Sequence, residues 1–154
     1  MTSKLSAQDQ HIIIVMSEFN SKITKRLLQG ARDAFSHYNG SKSNLKTFRV
    51  PGAFEIPATI QQIIKQHHPD AIVALGAVIR GETPHFDFVA RESAHGISQI
   101  SRKIDIPIIN GILTTDNVEQ ALERSELDGR NKGRDAMMAA LSMISVYSKI
   151  QTDL

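Results

Sequence analysis

The chain has no cysteine, no tryptophan and no long apolar run, and each absence excludes a class of protein. Without cysteine it can form no disulfide, no thiolate metal site and no cysteine nucleophile. We therefore expect a protein of the reducing cytoplasm. No apolar segment approaches the ~20 residues that a membrane-spanning helix needs, so we expect no membrane partner. The polar first ten residues, MTSKLSAQDQ, lack the apolar stretch of a secretory signal.

Charge bias and aromatic content are also low. The chain carries 18 basic and 16 acidic residues, for a formal net charge of +2, and its basic residues do not cluster. This balance predicts no nucleic-acid partner. Aromatic residues make up 5% of the 154 positions, so the core must be mainly aliphatic. The length suits one domain over residues 1–154, of which residues 1–10 are predicted to be flexible.

What the sequence does contain is an alternation of two kinds of segment. Short, unbroken apolar runs such as HIIIVM and AIVALGAV are typical of strands covered on both faces. We predict strands over residues 11–16, 71–78 and 106–113, with a weaker candidate at 45–50. Longer segments between and after them have apolar residues at helical spacing.

Five helices are predicted from that spacing. They cover residues 21–38, 54–67, 84–103, 116–124 and 133–150. Asp116 is predicted to cap the fourth, with Glu119 three residues on. The order β-α-β-α-β-α-β-α-α predicts a three-layer α/β/α sandwich with a four-stranded parallel sheet, of flavodoxin-like type.

Open parallel sheets bind ligands beyond the carboxyl ends of their strands, so the segments that follow each strand are the candidate site. After the first strand, Phe19 offers a flat apolar face and Asn20 could cap a helix or bind a ligand. After the second, Glu55 is either a favourable first-turn carboxylate or an acceptor for a polyhydroxylated ligand. The residues alone leave both alternatives open.

The segment after the third strand carries the most chemistry. Gly76 and Gly81 are spaced as in a phosphate loop, but Glu82-Thr83 replaces its Lys-Ser/Thr pair, which excludes nucleoside triphosphates. Thr83 is predicted as the N-cap of a helix with Pro84 as its first residue. Such a helix end attracts anions and would suit a monophosphate, provided that the side chain of Glu82 points away.

His85 lies in the same positive field, which favours a neutral imidazole that can accept and return protons. The plain alternative is a surface or capping histidine, and we expect His95, ten residues on, to be structural or at an interface. The position of His85, after a strand end and a glycine turn, favours a proton-transfer role. Arg124 and Lys132 could supply positive charge, or could simply be solvated.

Together these segments resemble the lumazine synthase family of riboflavin biosynthesis. The resemblance covers about residues 12–146. It rests on five motifs in order, which are FN at 19–20, VPGAFEIP at 50–57, ALGAVIRGETPHFD at 74–87, NGILTTDNVEQALER at 110–124 and NKG at 131–133.

The resemblance implies an activity. The family joins 5-amino-6-(D-ribitylamino)uracil to 3,4-dihydroxy-2-butanone 4-phosphate, giving 6,7-dimethyl-8-ribityllumazine, phosphate and water in the penultimate step of riboflavin biosynthesis. Neither a metal nor a cofactor is implied.

The resemblance also implies roles for individual residues. By this resemblance Phe19 stacks on the pyrimidine, and Asn20 belongs to the same substrate site. Ala53, Phe54 and Glu55 contact the ribitylaminouracil, with Glu55 accepting hydrogen bonds from the ribityl hydroxyls. The pyrimidine pocket is lined by Ala77, Val78 and Ile79. The backbone N–H groups of Glu82 and Thr83 bind the substrate phosphate, and Arg124 of a neighbouring subunit pairs with it. Lys132 adds positive charge, and His85 transfers protons.

Asn110 departs from the pattern, because many members have an aromatic residue at that position. An Asn there could still hydrogen-bond to the uracil edge. The resemblance implies a homo-oligomer of at least five subunits with active sites at subunit interfaces, and names riboflavin synthase as a candidate partner. The stretch SELDGR at 125–130 lacks the GTKAG-like sequence of capsid-forming members, which favours a pentamer alone.

Two other hypotheses belong to different classes. One is a flavin- or lumazine-binding protein that has lost catalysis. The presence of His85, Arg124 and Glu55 argues against it. The other is a receiver-like signalling module, which would need an acidic Mg²⁺ cluster at the strand ends. Only Asp116 and Glu18 lie near those positions, so this hypothesis is the weakest.

Overall fold

The computed structural model describes residues 5–152, which form a four-stranded parallel sheet covered by helices on both faces. The strands are β1 (Ile12–Ser17), β2 (Leu45–Val50), β3 (Ala71–Ile79) and β4 (Ile108–Thr115), in the order β2-β1-β3-β4. The three-layer flavodoxin-like prediction is confirmed. β4 begins later than predicted, after Pro107, because proline has no N–H to give to the ladder.

The helices follow the predicted order. They are α1 (Ser21–His37), α2 (Ile56–Gln66), α3 (His85–Ser101), α4 (Val118–Glu123) and α5 (Lys132–Thr152). Two short 3-10 turns, Lys42–Asn44 and Ala53–Glu55, precede β2 and α2. Within residues 5–152, no helix combines the length and the apolar character that crossing a bilayer requires.

The unbroken apolar runs are explained by two separate cores, one on each face of the sheet. Along β1, Ile12 and Ile14 point to the core under α1 and α5, whereas Ile13 and Val15 point to the core under α2 and α3. Every β1 side chain is therefore buried. Burying each such aliphatic side chain contributes about 1.5–3 kcal/mol.

The stretch predicted to be flexible, residues 1–10, lies partly outside the described residues. Its described part, residues 5–10, makes a turn against the end of α1. Ala7 is fully buried there, and its N–H donates to the Tyr38 carbonyl at 2.7 Å. The Gln10 N–H closes the turn onto the Ala7 carbonyl at 3.0 Å.

β3 is longer than its neighbour β1, and this difference shapes the carboxyl edge of the sheet. The β1–β3 register runs from Ile12↔Ala71 to Met16↔Leu75, whereas β3 stays paired with β4 as far as Ile79↔Thr115. The last residues of β3 therefore project beyond β1 as a ledge. The chain also reverses its direction of travel across the sheet between β1 and β3, which is the switch point where this class of sheet binds ligands.

Helices α1 and α5 approach so closely that one position tolerates only glycine. A Cβ on Gly133 would lie 1.9 Å from the Leu27 carbonyl oxygen and 2.5 Å from its carbon. Both atoms belong to the α1 backbone and cannot rotate away. The first turn of α5 is thus seated directly against the main chain of α1.

We expect Gly133→Ala to destabilise the protein by about 1–3 kcal/mol, because α5 must move off α1 and overpacking outweighs the ~1 kcal/mol gain in helix propensity. The matched control is Gly81→Ala, where an added Cβ meets nothing within 4 Å and φ is not positive. Urea denaturation measures both. Equal midpoints for the two variants would contradict this reading of the α1–α5 contact.

Candidate active site

A cleft of about 590 Å³ opens at the carboxyl edge of the sheet, at the switch point. Its volume lies within the range of small-molecule sites. Its walls are formed by the residues that follow β1 and β2, by the ledge of β3 and by the first turns of α3. They are Phe19, Pro51, Gly52, Ala53, Phe54, Glu55, Ala77, Val78, Ile79, Gly81, Thr83, His85, Phe86, Phe88 and Val89.

Exposed aromatic rings dominate the rim of the cleft. Phe19, Phe54 and Phe88 are 72%, 57% and 59% exposed, which is unusual for large apolar side chains. The turn that carries Phe19 is held in place by its main chain, because the Phe19 N–H donates to the Pro51 carbonyl at 3.0 Å. Flat apolar surface is therefore presented at the edge of the cleft on a firm support.

The floor of the cleft is the ledge of β3, and Asn20 supports it. Asn20 is the N-cap residue of α1, with φ 62° and ψ 45°, a left-handed conformation that Asn tolerates better than most residues. Its side chain does not cap the helix. Instead Nδ2 donates to the Ala77 carbonyl at 2.9 Å, joining the end of β1 to the ledge. Asn20 is not among the lining residues itself.

Two residues with acid–base chemistry open into the cleft from different helices. Glu55 precedes α2 at its N-cap position, makes no side-chain cap, and lines the cleft with an exposed carboxylate. His85 is the first residue of α3 and is also exposed. Across the described ranges neither side chain takes part in an ion pair. Both remain available to a ligand.

The start of α3 differs from the prediction in its cap. The N-cap is Pro84 rather than Thr83, the helix begins at His85, and no side chain caps it. The reason is that the Pro84 carbonyl already accepts the Asp87 N–H at 3.0 Å, so the main chain closes the first turn. Thr83 lines the cleft, whereas Glu82 is exposed and does not.

Arg80, at the end of β3, ties this first turn to the β4–α4 turn. Its Nε donates to Asp116 Oδ1 at 3.0 Å, Nη1 lies 3.6 Å from Asp87 Oδ1, and the guanidinium lies 4.5 Å from the centroid of the Phe86 ring. Single exposed ion pairs contribute little, but three contacts from one planar group restrain the turn that carries His85.

The predicted cap of α4 was therefore assigned to the wrong residue. Asp116 is engaged with Arg80, and Asn117 caps instead, its Oδ1 accepting the Gln120 N–H at 2.8 Å. The Gln120 carboxamide in turn accepts the Asp116 N–H at 2.8 Å. The cap is therefore shifted by one residue from the predicted position, and the return hydrogen bond from Gln120 goes to the residue before the cap.

Arg124, Lys132 and Asn110 lie away from this cleft. All three line a separate hollow of about 370 Å³ between β4 and α5. Asn110 is exposed on the edge strand, and its Oδ1 accepts the Ile112 N–H at 3.0 Å. Within one chain, then, the structure brings His85, Glu55 and Phe19 together but keeps these three residues apart from them.

Several lining residues were not among the predicted site residues. Phe86 and Val89 fit the core-facing stripe of α3, yet both are only half-buried and reach the cleft, as does Phe88. Their proximity in sequence to His85 was the available signal, because residues within one turn of a helix start share its surroundings. Periodicity alone cannot separate a core face from the wall of a cleft.

The strand order and the cleft at its switch point define a flavodoxin-like α/β protein with the ligand-site position of that class. Residues 9–148 match the model of the 6,7-dimethyl-8-ribityllumazine synthase family. The chain belongs to that family, whose members are transferases that form the ribityllumazine in riboflavin biosynthesis.

Relatives that bear the name 6,7-dimethyl-8-ribityllumazine synthase are similar over almost the whole chain. One from Protochlamydia amoebophila is 49% identical over 147 residues, covering 96% of this chain and 86% of the relative. One from Campylobacter hominis is 46% identical, covering 92% and 91%. A third, from Nautilia profundicola, is 46% identical and covers 92% of both chains.

We expect Asn20→Ala to cost about 1 kcal/mol more stability than Asn39→Ala, because only the first loses a hydrogen bond to the ledge. Asn39 is the matched control, since it is exposed and also left-handed, with φ 72°. Denaturant titration of both variants gives the difference. Equal losses would mean that the bond to Ala77 adds nothing beyond backbone conformation.

Proposed function

We propose that this chain condenses 5-amino-6-(D-ribitylamino)uracil with 3,4-dihydroxy-2-butanone 4-phosphate to 6,7-dimethyl-8-ribityllumazine, phosphate and water, the penultimate step of riboflavin biosynthesis. It does so in the cytoplasm and without a metal or cofactor. The observation that carries the proposal is the cleft, in which Phe19, Glu55 and His85 converge on the ledge of β3.

The pyrimidine would occupy the part of the cleft between Phe19 and the ledge. A planar heterocycle gains from stacking on the exposed Phe19 ring. Ala77, Val78 and Ile79 would line the pyrimidine pocket, with the main-chain groups of Ile79 facing the side of β3 that β1 leaves unpaired. Asn20 contributes by fixing the Ala77 carbonyl. Ala53 and Phe54 would flank the ribityl chain, with the Glu55 carboxylate accepting from its hydroxyls.

The butanone phosphate would lie at the start of α3. The unpaired N–H groups and dipole of a helix N-terminus favour an anion, and Thr83 and Glu82 precede this one. Phosphate held there would place the reacting ketone beside His85. Much of the acceleration would then come from positioning two substrates against each other.

The chemistry consists of steps that each move a proton. The amine attacks the ketone, water leaves and an imine forms. Phosphate is then eliminated, and the ribityl-bearing amine closes the ring onto the remaining carbonyl with loss of a second water. An imidazole can accept and return protons near neutral pH, so His85 can serve in more than one step. The reaction involves no net oxidation or reduction of the two substrates.

The phosphate still needs a cation, and the cleft lining defined by the described residues contains no lysine or arginine. Arg124 and Lys132 lie in the other hollow, so in this proposal a neighbouring subunit supplies them, with Asn110 reaching the uracil edge. The assembly would be a homopentamer with a site at each interface. Riboflavin synthase, which would consume the product, is a candidate partner.

The first test mixes the two substrates and follows lumazine fluorescence. We expect product from the wild-type protein and a kcat lowered by about 10²-fold in His85→Ala, because proton transfer loses its donor and acceptor. Affinity for a ribityl ligand should change little. His95→Ala is the control, since His95 is exposed on the same helix.

Two results would count against the assignment. If the wild-type protein formed no product but still bound lumazine, it would be a binding protein without catalytic activity. An unchanged rate in His85→Ala would mean that His85 is only a surface or capping residue at the start of α3.

The second test addresses the shared site. Arg124→Ala should raise the KM for the phosphate substrate, and co-expressing it with His85→Ala should restore activity. In a random mixture about a quarter of the interfaces combine an intact cleft with an intact Arg124. We therefore expect about a quarter of the wild-type rate in the mixed assembly. A rate no higher than that of the separate variants would place each complete site within one subunit.

A further inference from the structure

The loop between Arg124 and Lys132 is held from the inside by a buried side chain, that of Asn131. Asn131 has 0% exposure. Its Nδ2 donates to the Ser125 carbonyl at 2.8 Å and to the Arg26 carbonyl on α1 at 3.1 Å. Its Oδ1 accepts the Arg134 N–H at 2.9 Å. Both donors of the carboxamide and its acceptor are used, so the side chain has a single orientation.

Arg134 holds the same loop from the other side. Its guanidinium donates to the Leu127 carbonyl at 3.4 Å and also to the Gly129 carbonyl. Both acceptors are main-chain groups of the loop over residues 125–130, and Arg134 itself is half-buried. The planar, forked shape of the guanidinium suits two carbonyls at once, which a lysine ammonium could not reproduce.

The two ends of this loop carry the two cations of the hollow beside β4. The Lys132 N–H donates to the Arg124 carbonyl at 2.8 Å, so the loop closes back on itself at its base. Both residues line the same hollow. Because Asn131 and Arg134 fix the loop from within, they fix the main-chain positions from which the two cationic side chains extend. The Arg124 guanidinium then donates to the Gln120 carbonyl at 3.1 Å, and Lys132 Nζ lies 3.7 Å from Asp135 Oδ2.

We propose that Asn131 and Arg134 are positioning residues for the phosphate half-site, a role that rests on the proposed function. Neither lines the hollow nor the cleft. They act by setting the spacing and direction of Arg124 and Lys132 before a neighbouring subunit presents its bound phosphate. A phosphate dianion recognised by two preset charges gains affinity, because no side-chain ordering is needed on binding.

The variant that tests this is Arg134→Met, which removes the fork but keeps an apolar stem of similar length. We expect the KM for the butanone phosphate to rise about tenfold, while the KM for the ribitylaminouracil stays within about twofold. Arg130→Met is the matched control. Arg130 lies in the same loop with its side chain 63% exposed, and its guanidinium reaches Glu123 at 3.5 Å. It should leave both KM values unchanged.

A double-variant comparison separates positioning from general stability. If Arg134 acts by setting the spacing between Arg124 and Lys132, no pair remains to be spaced in Arg124→Ala, and adding Arg134→Met there should raise the KM for the phosphate substrate by less than about twofold. Multiplied effects, or equal rises in both KM values, would overturn the proposal. If Arg134→Met does not fold, Arg134→Lys serves as the second variant. Its KM for the phosphate substrate should lie between the wild-type value and about ten times that value.

Binding of inorganic phosphate, measured by calorimetry on the intact oligomer, distinguishes failure of this proposal from failure of the proposed function. Weaker phosphate binding in Arg134→Met than in Arg130→Met supports the positioning role, even if the two substrates give no lumazine. Equal binding in wild type and Arg134→Met overturns it, even if lumazine forms normally. Phosphate binding that does not depend on Arg124 overturns it as well.

Discussion

The site depends on one difference in length between neighbouring parallel strands. β3 continues beyond β1 while keeping its pairing with β4, so its last residues have a hydrogen-bonded neighbour on one side only. That single unpaired side creates the cleft, supplies main-chain groups to line it, and lies at the switch point of the sheet. Asn20 reinforces the geometry by joining the end of β1 to the Ala77 carbonyl. Were β1 as long as β3, the sheet would close over the ledge.

The cleft and the hollow beside β4 complement each other chemically. The cleft has aromatic surface, a carboxylate and an imidazole but no lysine or arginine among its lining residues, whereas the hollow by β4 has Arg124 and Lys132 but no aromatic residue in its lining. Under the proposed function neither surface is complete alone, so a chain that divides these functions between two surfaces would gain from assembling with itself. The buried support of the loop over residues 125–130 fits this division, since a preset cation pair would meet a substrate held elsewhere.

The sequence predicted the fold well because the two signals on which it depends are local. Unbroken apolar runs located the strands, and helical spacing located the helices, with β4 displaced only by Pro107. The cap of α4 was predicted wrongly for a tertiary reason, because Asp116 is taken by Arg80, which is 36 positions earlier in the chain. The cap of α3 was predicted wrongly for a local reason, because the Pro84 carbonyl closes its own turn with the Asp87 N–H. Most of the cleft residues between positions 19 and 85 were predicted from the motifs that follow the strands, whereas the contributions of Phe88 and Arg80 depend on the packing of α3 and on the sheet edge.

Asn110 has a further consequence for the isolated subunit. β4 is an edge strand, and edge strands with free N–H groups invite pairing with other chains. By accepting the Ile112 N–H, the Asn110 side chain occupies one of these groups with a partner from its own strand. An aromatic residue at that position could not do so. Asn110 thus leaves one fewer free N–H on the exposed edge of β4 than an aromatic residue would, and so one fewer point for strand-to-strand pairing.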